Sequence, residues 1–264
     1  MRMPNWIPKS FLVSLFGVAF LTPINAQTPL RVAAAADLEP VLPPILEQFQ
    51  QATRIRAEAT FQASAALTTQ IQNGAPFDLF LSADLGYPKR LIDAGLADAA
   101  GTADSSKPVI YARGTLVLWA RKDSHLPPPS LDLLNNPDLK RLSIANPDRA
   151  PYGRAAVAAL TSLKLYDALK PRLVTAENIS QAAQFVDSGN ADAGLISLTS
   201  ALTPRLSTDG AYFVVPRDLY PPIEQGAVIV SKTTQREQAH KLLDYILSAP
   251  IQAQLAKSGL TPVH

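Results

Sequence analysis

Arg31-Val32-Ala33-Ala34-Ala35-Ala36-Asp37-Leu38-Glu39-Pro40 is the stretch on which the reading of the fold turns. It opens as a short run of apolar and small residues and closes on an Asp, a residue type that caps helix starts, followed by an amphipathic segment. The pattern predicts a strand, a tight turn and a helix whose first N–H groups have no carbonyl of their own. Such a start favours negative charge, through its unpaired N–H groups and through the helix dipole. A second segment repeats the plan: Ala57 to Phe61 as strand, Gln62-Ala63-Ser64-Ala65-Ala66-Leu67 as turn and helix start, then a helical run to Asn73.

Outward from there the alternation continues. Val41–Gln51 places Leu42, Ile45, Leu46 and Phe49 at helical spacing, with Pro43 and Pro44 in the first turn, where proline is tolerated. Phe77-Asp78-Leu79-Phe80-Leu81 is a nearly continuous apolar strand, suited to a sheet covered on both faces. Tyr87–Ala94 reads as a short helix ending at Gly95. This βαβαβ order implies parallel strands with helices on both faces, and ligands in such sheets sit beyond the carboxyl ends of the strands. Ala36-Asp37, Gln62–Ser64 and Ser82–Asp84 all fall at such ends. Past Gly114, Thr115–Ala120 is a strong strand and a second series opens. Ser143–Ala145, Arg172–Thr175, Ala193–Ser197, Tyr212–Pro216 and Gly226–Ser231 read as strands. Arg154–Leu163, Ile179–Ser188, Gln235–Leu247 and Pro250–Lys257 read as helices. Linkers are expected near Ala112-Arg113-Gly114 and Tyr220–Gln225. The chain thus divides into lobe I, residues 27–113 plus 222–264, and lobe II, residues 114–221, with a ligand cleft between them and a hinge of two crossings.

With 264 residues and 47% hydrophobic content, a sizeable core is expected. Met1 to Lys9 carries Arg2 and Lys9 and no acid, Phe11 to Leu21 is apolar, and Ile24-Asn25-Ala26 offers a small residue before a cut. Residues 1–26 therefore read as a signal peptide cleaved after Ala26. The apolar run is short for a membrane anchor. The chain has no cysteine, which removes disulfides, thiolate chemistry and a lipid-carrying residue, so a released periplasmic protein is expected. The formal net charge of +2 falls to zero once the two leader bases are gone. Without a Lys/Arg block, nucleic acid is not the expected partner. His125, His240 and His264 lack metal-ligand spacing, and neither a Gly-x-Ser-x-Gly elbow nor a phosphate-binding Walker loop occurs, so no catalytic residue, metal site or cofactor is assigned.

The run Arg31 to Leu38, Ser64, the segment Gly74-Ala75-Pro76-Phe77-Asp78-Leu79-Phe80-Leu81-Ser82-Ala83-Asp84, the loop Asn146-Pro147-Asp148 to Pro151-Tyr152-Gly153 and the strand Gly194-Leu195-Ile196 occur in order, and together they resemble the periplasmic molybdate-binding proteins of ABC importers. The resemblance covers the whole mature chain. It implies an α/β, two-lobed periplasmic-binding-protein fold of type II, with mixed, mostly parallel sheets and helices on both faces. It also implies a molybdate or tungstate ligand, delivery to an ABC membrane permease, a monomer and no enzymatic activity. In that family a tetrahedral oxyanion is held by neutral donors, and several charge-assisted bonds from N–H dipoles stabilise a buried dianion without a counter-ion. Carried over by position, the resemblance implies ligand contacts from Ser64 through its hydroxyl and N–H, and from the backbone N–H groups of Tyr152 and Ile179.

Two positions depart from the family's better-known pattern: Asp37 stands where a serine is usual, and Ser197 where a tyrosine ends the Gly-Leu-Ile strand. An ionised carboxylate facing a dianion is repulsive. Three readings of Asp37 stay open: it turns back to cap its own helix and offers only its N–H, which is preferred; it is protonated beside the anion; or it joins the coordination sphere of a metal-oxo centre. Water or Tyr152 is expected to fill the space left by Ser197. By the ordinary preferences of their residue types, Ser64 is also a plain helix cap, Asp78 and Asp84 bind loop N–H groups, Arg149 and Arg154 are solvated, and Trp119 packs a core strand. Outside the molybdate reading stand a receptor for another oxyanion or small organic acid, and a periplasmic hydro-lyase using Asp37 with Glu224 as its acid/base pair.

Overall fold

The structure, a computed structural model, describes Met1, residues 28–99 and residues 106–263. Apart from Met1, the expected leader and its cleavage site lie outside the described residues, as does His264. The strands are β1 Leu30–Ala35, β2 Ala57–Gln62, β3 Leu79–Ser82, β4 Ala97–Asp98, β5 Val109–Gly114, β6 Leu116–Arg121, β7 Leu142–Ala145, β8 Leu173–Ala176, β9 Ala193–Ser197, β10 Gly210–Val214 and β11 Ile223–Val230. They form two mixed sheets. One has the order β2-β1-β3-β11-β4, with β5 also on β11; the other runs β10-β6-β9-β7-β8. In each sheet a parallel trio, β2-β1-β3 or β8-β7-β9, meets antiparallel strands on one side.

Period-two side-chain placement explains why the first sheet is buried on both faces. Val32 and Ala34 of β1, Leu79 and Leu81 of β3, and Ala227 and Ile229 of β11 join the core beneath the helices Leu42–Thr53 and Arg236–Leu247. Their neighbours Ala33, Phe80 and Val228 join the core beneath Ser64–Gln72 and Gly86–Asp93. A third core fills the second lobe around Trp119 and also takes in Ala35, Ala36 and Ala83, so the lobes touch through small residues.

The two expected linkers are paired strands. Ala112, Arg113 and Gly114 of β5 lie opposite Gln225, Glu224 and Ile223 of β11, and the register shifts just beyond, between Gln225 and Gly226. Side-by-side crossings satisfy each other's backbone groups, which separate connecting segments would leave to water. Gly114 is needed here: a Cβ on it would stand 2.3 Å from the Tyr152 hydroxyl. Past the hinge, two short helices, Leu198–Ala201 and Pro204–Asp209, follow β9; their signals were Ser197 and Thr203 as N-caps and Pro204 in the first turn.

Candidate functional site

Strand register brings the candidate residues together. Ala35 pairs with Gln62 at the ends of β1 and β2, so Asp37 and Ser64 each lie two residues past a matched pair. Ala145 pairs with Ala176 at the ends of β7 and β8, and from there the chain turns into the helices Pro151–Ser162 and Ile179–Asp187. Contacts across the cleft join the two edges. Ala65 N–H donates to the Arg149 carbonyl at 3.2 Å, and the Ser180 hydroxyl donates to the Ala36 carbonyl at 2.8 Å. The Thr199 hydroxyl donates to the Asp37 carbonyl at 2.8 Å. Tyr87 donates to the Asp148 carbonyl at 3.2 Å, and Arg154 pairs with Asp84 while its guanidinium lies 5.4 Å from the centre of the Tyr87 ring.

Each helix start leaves N–H groups unclaimed by its own turn. Ser64 opens its helix, with Ala63 as an N-cap that makes no side-chain bond; the Ser64 hydroxyl accepts from Ala83 N–H at 3.1 Å and keeps its own proton for donation. Tyr152 follows Pro151, which has no N–H, and precedes Gly153, whose N–H returns to the Ala150 carbonyl. A Cβ on Gly153 would meet the Ala145 carbonyl oxygen at 2.3 Å, so glycine lets this helix start sit against the end of β7. Ile179 opens a helix whose cap is Asn178; the cap side chain accepts from Gln181 N–H at 2.9 Å, and the Gln181 side chain accepts from Glu177 N–H at 2.7 Å. That reciprocal cap satisfies the N–H of the third position, Gln181, and that of Glu177 before the cap, and leaves the first, Ile179, open.

Asp37 does not cap its helix, contrary to the preferred expectation. It lies inside a single 3-10 turn, Ala36–Leu38, whose cap is Ala35, and the longer helix begins only at Leu42, beyond its reach. Its carboxylate turns instead toward the hinge and the second lobe. Oδ2 accepts from Tyr152 Oη at 3.2 Å and from Gln225 Nε2 at 2.5 Å, while Oδ1, fully buried, has no partner. Burial raises the carboxyl pKa from 3.8 to about 6; the bonds from Gln225, Tyr152 and its own backbone restrain the rise. The same burial, with the nearby Asp37 charge, pushes the phenols of Tyr152 and Tyr111 well above their usual range.

The remaining expectations divide. Ser197 is the N-cap of Leu198–Ala201: its Oγ accepts from Ser200 N–H at 3.3 Å and lies 2.9 Å from the Thr199 hydroxyl, to which it donates because the Thr199 proton goes to the Asp37 carbonyl, so it supports the turn that holds Asp37. The Tyr152 side chain, expected from the sequence only as a filler of the space left by Ser197, bonds the Asp37 carboxylate. Gln225 was missed, having been read only as part of a linker. Glu224 points away on the alternate side of β11 and pairs with Arg113 at 3.2 Å, so the acid/base pair with Asp37 is not formed. Arg149 and Arg154 are ion-paired, with Glu177 and Asp84, rather than simply solvated. Asp78 accepts from Arg31 N–H at 2.7 Å, a group of strand β1 rather than the expected loop N–H.

Residues 30–261 match the family of bacterial extracellular solute-binding proteins. The chain belongs to that family. It is 38% identical to the molybdate-binding protein ModA of Azotobacter vinelandii over 94% of this chain and 96% of that one. It is 34% identical to the protein of the same name from Rhodobacter capsulatus, over 94% of this chain and 93% of the other. The solved structure of the Azotobacter vinelandii periplasmic molybdate-binding protein superposes with a TM-score of 0.81 at 29% identity, covering 89% of this chain and all of that one. The two-lobed fold inferred from the sequence is therefore that of its relatives.

Proposed function

We propose that this chain is a periplasmic receptor that closes its two lobes on molybdate, or the near-isosteric tungstate, and presents the closed form to an ABC permease. The observation that carries the reading is the 38% identity to a molybdate-binding protein, combined with helix starts from both lobes meeting around Asp37. The donors are Ser64 through hydroxyl and N–H, Tyr152 and Ile179 through N–H, and Asp37, with Ser197 supporting from behind. Residues 27–113 with 222–264 and residues 114–221 move as the two bodies about the paired strands β5 and β11. Contacts to the anion from both lobes exist together only in the closed form, so ligand shifts the population toward closure. The protein acts as a monomer, without catalysis, after removal of residues 1–26.

Thermal melting of the mature protein with molybdate, tungstate, sulfate and phosphate tests this. A ligand bound only by the native state raises the midpoint, and at equal concentration a tighter ligand raises it more. Molybdate and tungstate are expected to give the largest shifts; no shift with any of the four overturns the reading.

A further inference from the structure

We propose that Asp37 binds the oxyanion as the neutral acid, donating a proton from Oδ1, so that each captured dianion brings one proton into the closed site. This rests on the oxyanion reading above. The geometry divides the carboxyl into two unlike oxygens. Oδ2 is held as an acceptor by Tyr152 Oη and Gln225 Nε2. Oδ1 is buried without a partner, in the turn that the Ser180 and Thr199 hydroxyls tie to the second lobe through the Ala36 and Asp37 carbonyls. A bare carboxylate oxygen in such a place is costly, and a dianion brought beside it makes ionisation costlier still. A proton on Oδ1 removes both penalties and turns an acceptor into a donor matching the N–H groups of Ser64, Tyr152 and Ile179.

The groups bonded to Asp37 bring no positive charge that would hold it ionised. β5 contributes Tyr111 and the Pro151–Ser162 helix contributes Tyr152, both phenols held neutral. β11 contributes the uncharged Gln225, the Ile179–Asp187 helix Ser180, and the Leu198–Ala201 turn Thr199. Tyr220 lies beside Tyr152, and its oxygen accepts from Leu116 N–H. On its own segment, Glu39 is exposed, and Glu224 beside Gln225 is engaged by Arg113. Among the described residues, no cation is among the groups that shift the Asp37 carboxyl. Burial already raises that carboxyl to about 6 before any anion arrives, so the proton is within reach near neutral pH.

Titration calorimetry of the mature protein with molybdate at about pH 7.5, in two buffers of different ionisation enthalpy, counts the protons exchanged. Close to one proton taken up per molybdate is expected, with Kd weakening about tenfold per pH unit above pH 7. In Asp37→Asn, whose amide keeps an acceptor for Tyr152 and Gln225 and places N–H₂ at the Oδ1 position, uptake falls to zero and Kd becomes independent of pH. Binding by the wild-type protein with no proton uptake and a flat pH profile overturns the proton while leaving the receptor reading intact. Absence of binding overturns both. The wild-type count decides even if the variant fails to fold.

Discussion

In lobe I, β1 and β2 end side by side at Ala35 and Gln62 and release Asp37 and Ser64 toward the cleft; in lobe II, β7 and β8 end side by side at Ala145 and Ala176 and release Tyr152 and Ile179. The topology is the same, but the chemistry differs. The lobe II starts are fixed without a titrating group: Pro151 removes an N–H, Gly153 permits close approach to β7, and Asn178 with Gln181 completes a reciprocal cap. Lobe I carries a buried carboxyl whose second oxygen is unsatisfied. Under the proposed function, a clamp built this way has one half preformed for an anion and one half whose readiness depends on a proton.

The largest expected effect breaks the preformed half. Gly153→Ala drives a methyl group into the Ala145 carbonyl and the Asn146 backbone, atoms that cannot step aside. A loss of about 3 kcal/mol in urea unfolding is expected, together with loss of the molybdate-dependent melting shift. If both survive, the lobe II start is not held by that contact.

The next effect belongs to the titrating half. The folded-state pKa of Asp37 is raised, from 3.8 to about 6, so between those values the native state holds more protons than the unfolded chain. The Asp37 contribution to ligand-free stability therefore falls as pH rises from about 4 to about 6, by about 3 kcal/mol in all, and is flat above. Urea melts across that range should show the decline in the wild type and lose it in Asp37→Asn. The ionisation penalty belongs to the buried, closed arrangement, so small-angle scattering should also find the ligand-free protein more open at pH 8 than at pH 5. Equal dimensions at both would separate Asp37 from closure.

Smaller effects sharpen the comparison. Ser197→Ala removes the cap beneath the Thr199 turn and is expected to cost about 1 kcal/mol of unfolding free energy. The cross-cleft pair Arg154–Asp84 is partly exposed on both sides, so a double-mutant cycle should give a coupling under about 1 kcal/mol, screened by salt.

Much of this was legible in the chain. Apolar runs at period two, helical spacing after them, and small or capping residues between them located most strands and helices, because those signals are local; two starts at the site were misplaced, since Pro151 rather than Arg154 opens its helix and the helix after Asp37 begins only at Leu42. Asp37 was recognised as anomalous for the same reason: a carboxylate at an anion site conflicts with elementary electrostatics wherever the rest of the chain lies. What the carboxylate touches was not legible. Gln225 is 188 positions away and reaches Asp37 because the two crossings pair as strands, with a register shift beside Gln225. The side-chain role of Tyr152 depends on the lobes meeting and on Gly114 making room for its hydroxyl. The Arg154–Asp84 pair likewise exists only across the cleft. Contacts made by closing two bodies leave no periodic trace in either.

The central claim is that neutral donors from both lobes converge on one oxyanion. Its most direct test is titration of the ¹⁵N-labelled mature protein with molybdate, following the backbone amides of Ser64, Tyr152 and Ile179. The account predicts that all three resonances move together and saturate at one molybdate per protein. Movement confined to amides of a single lobe, or saturation at different stoichiometries, would contradict it.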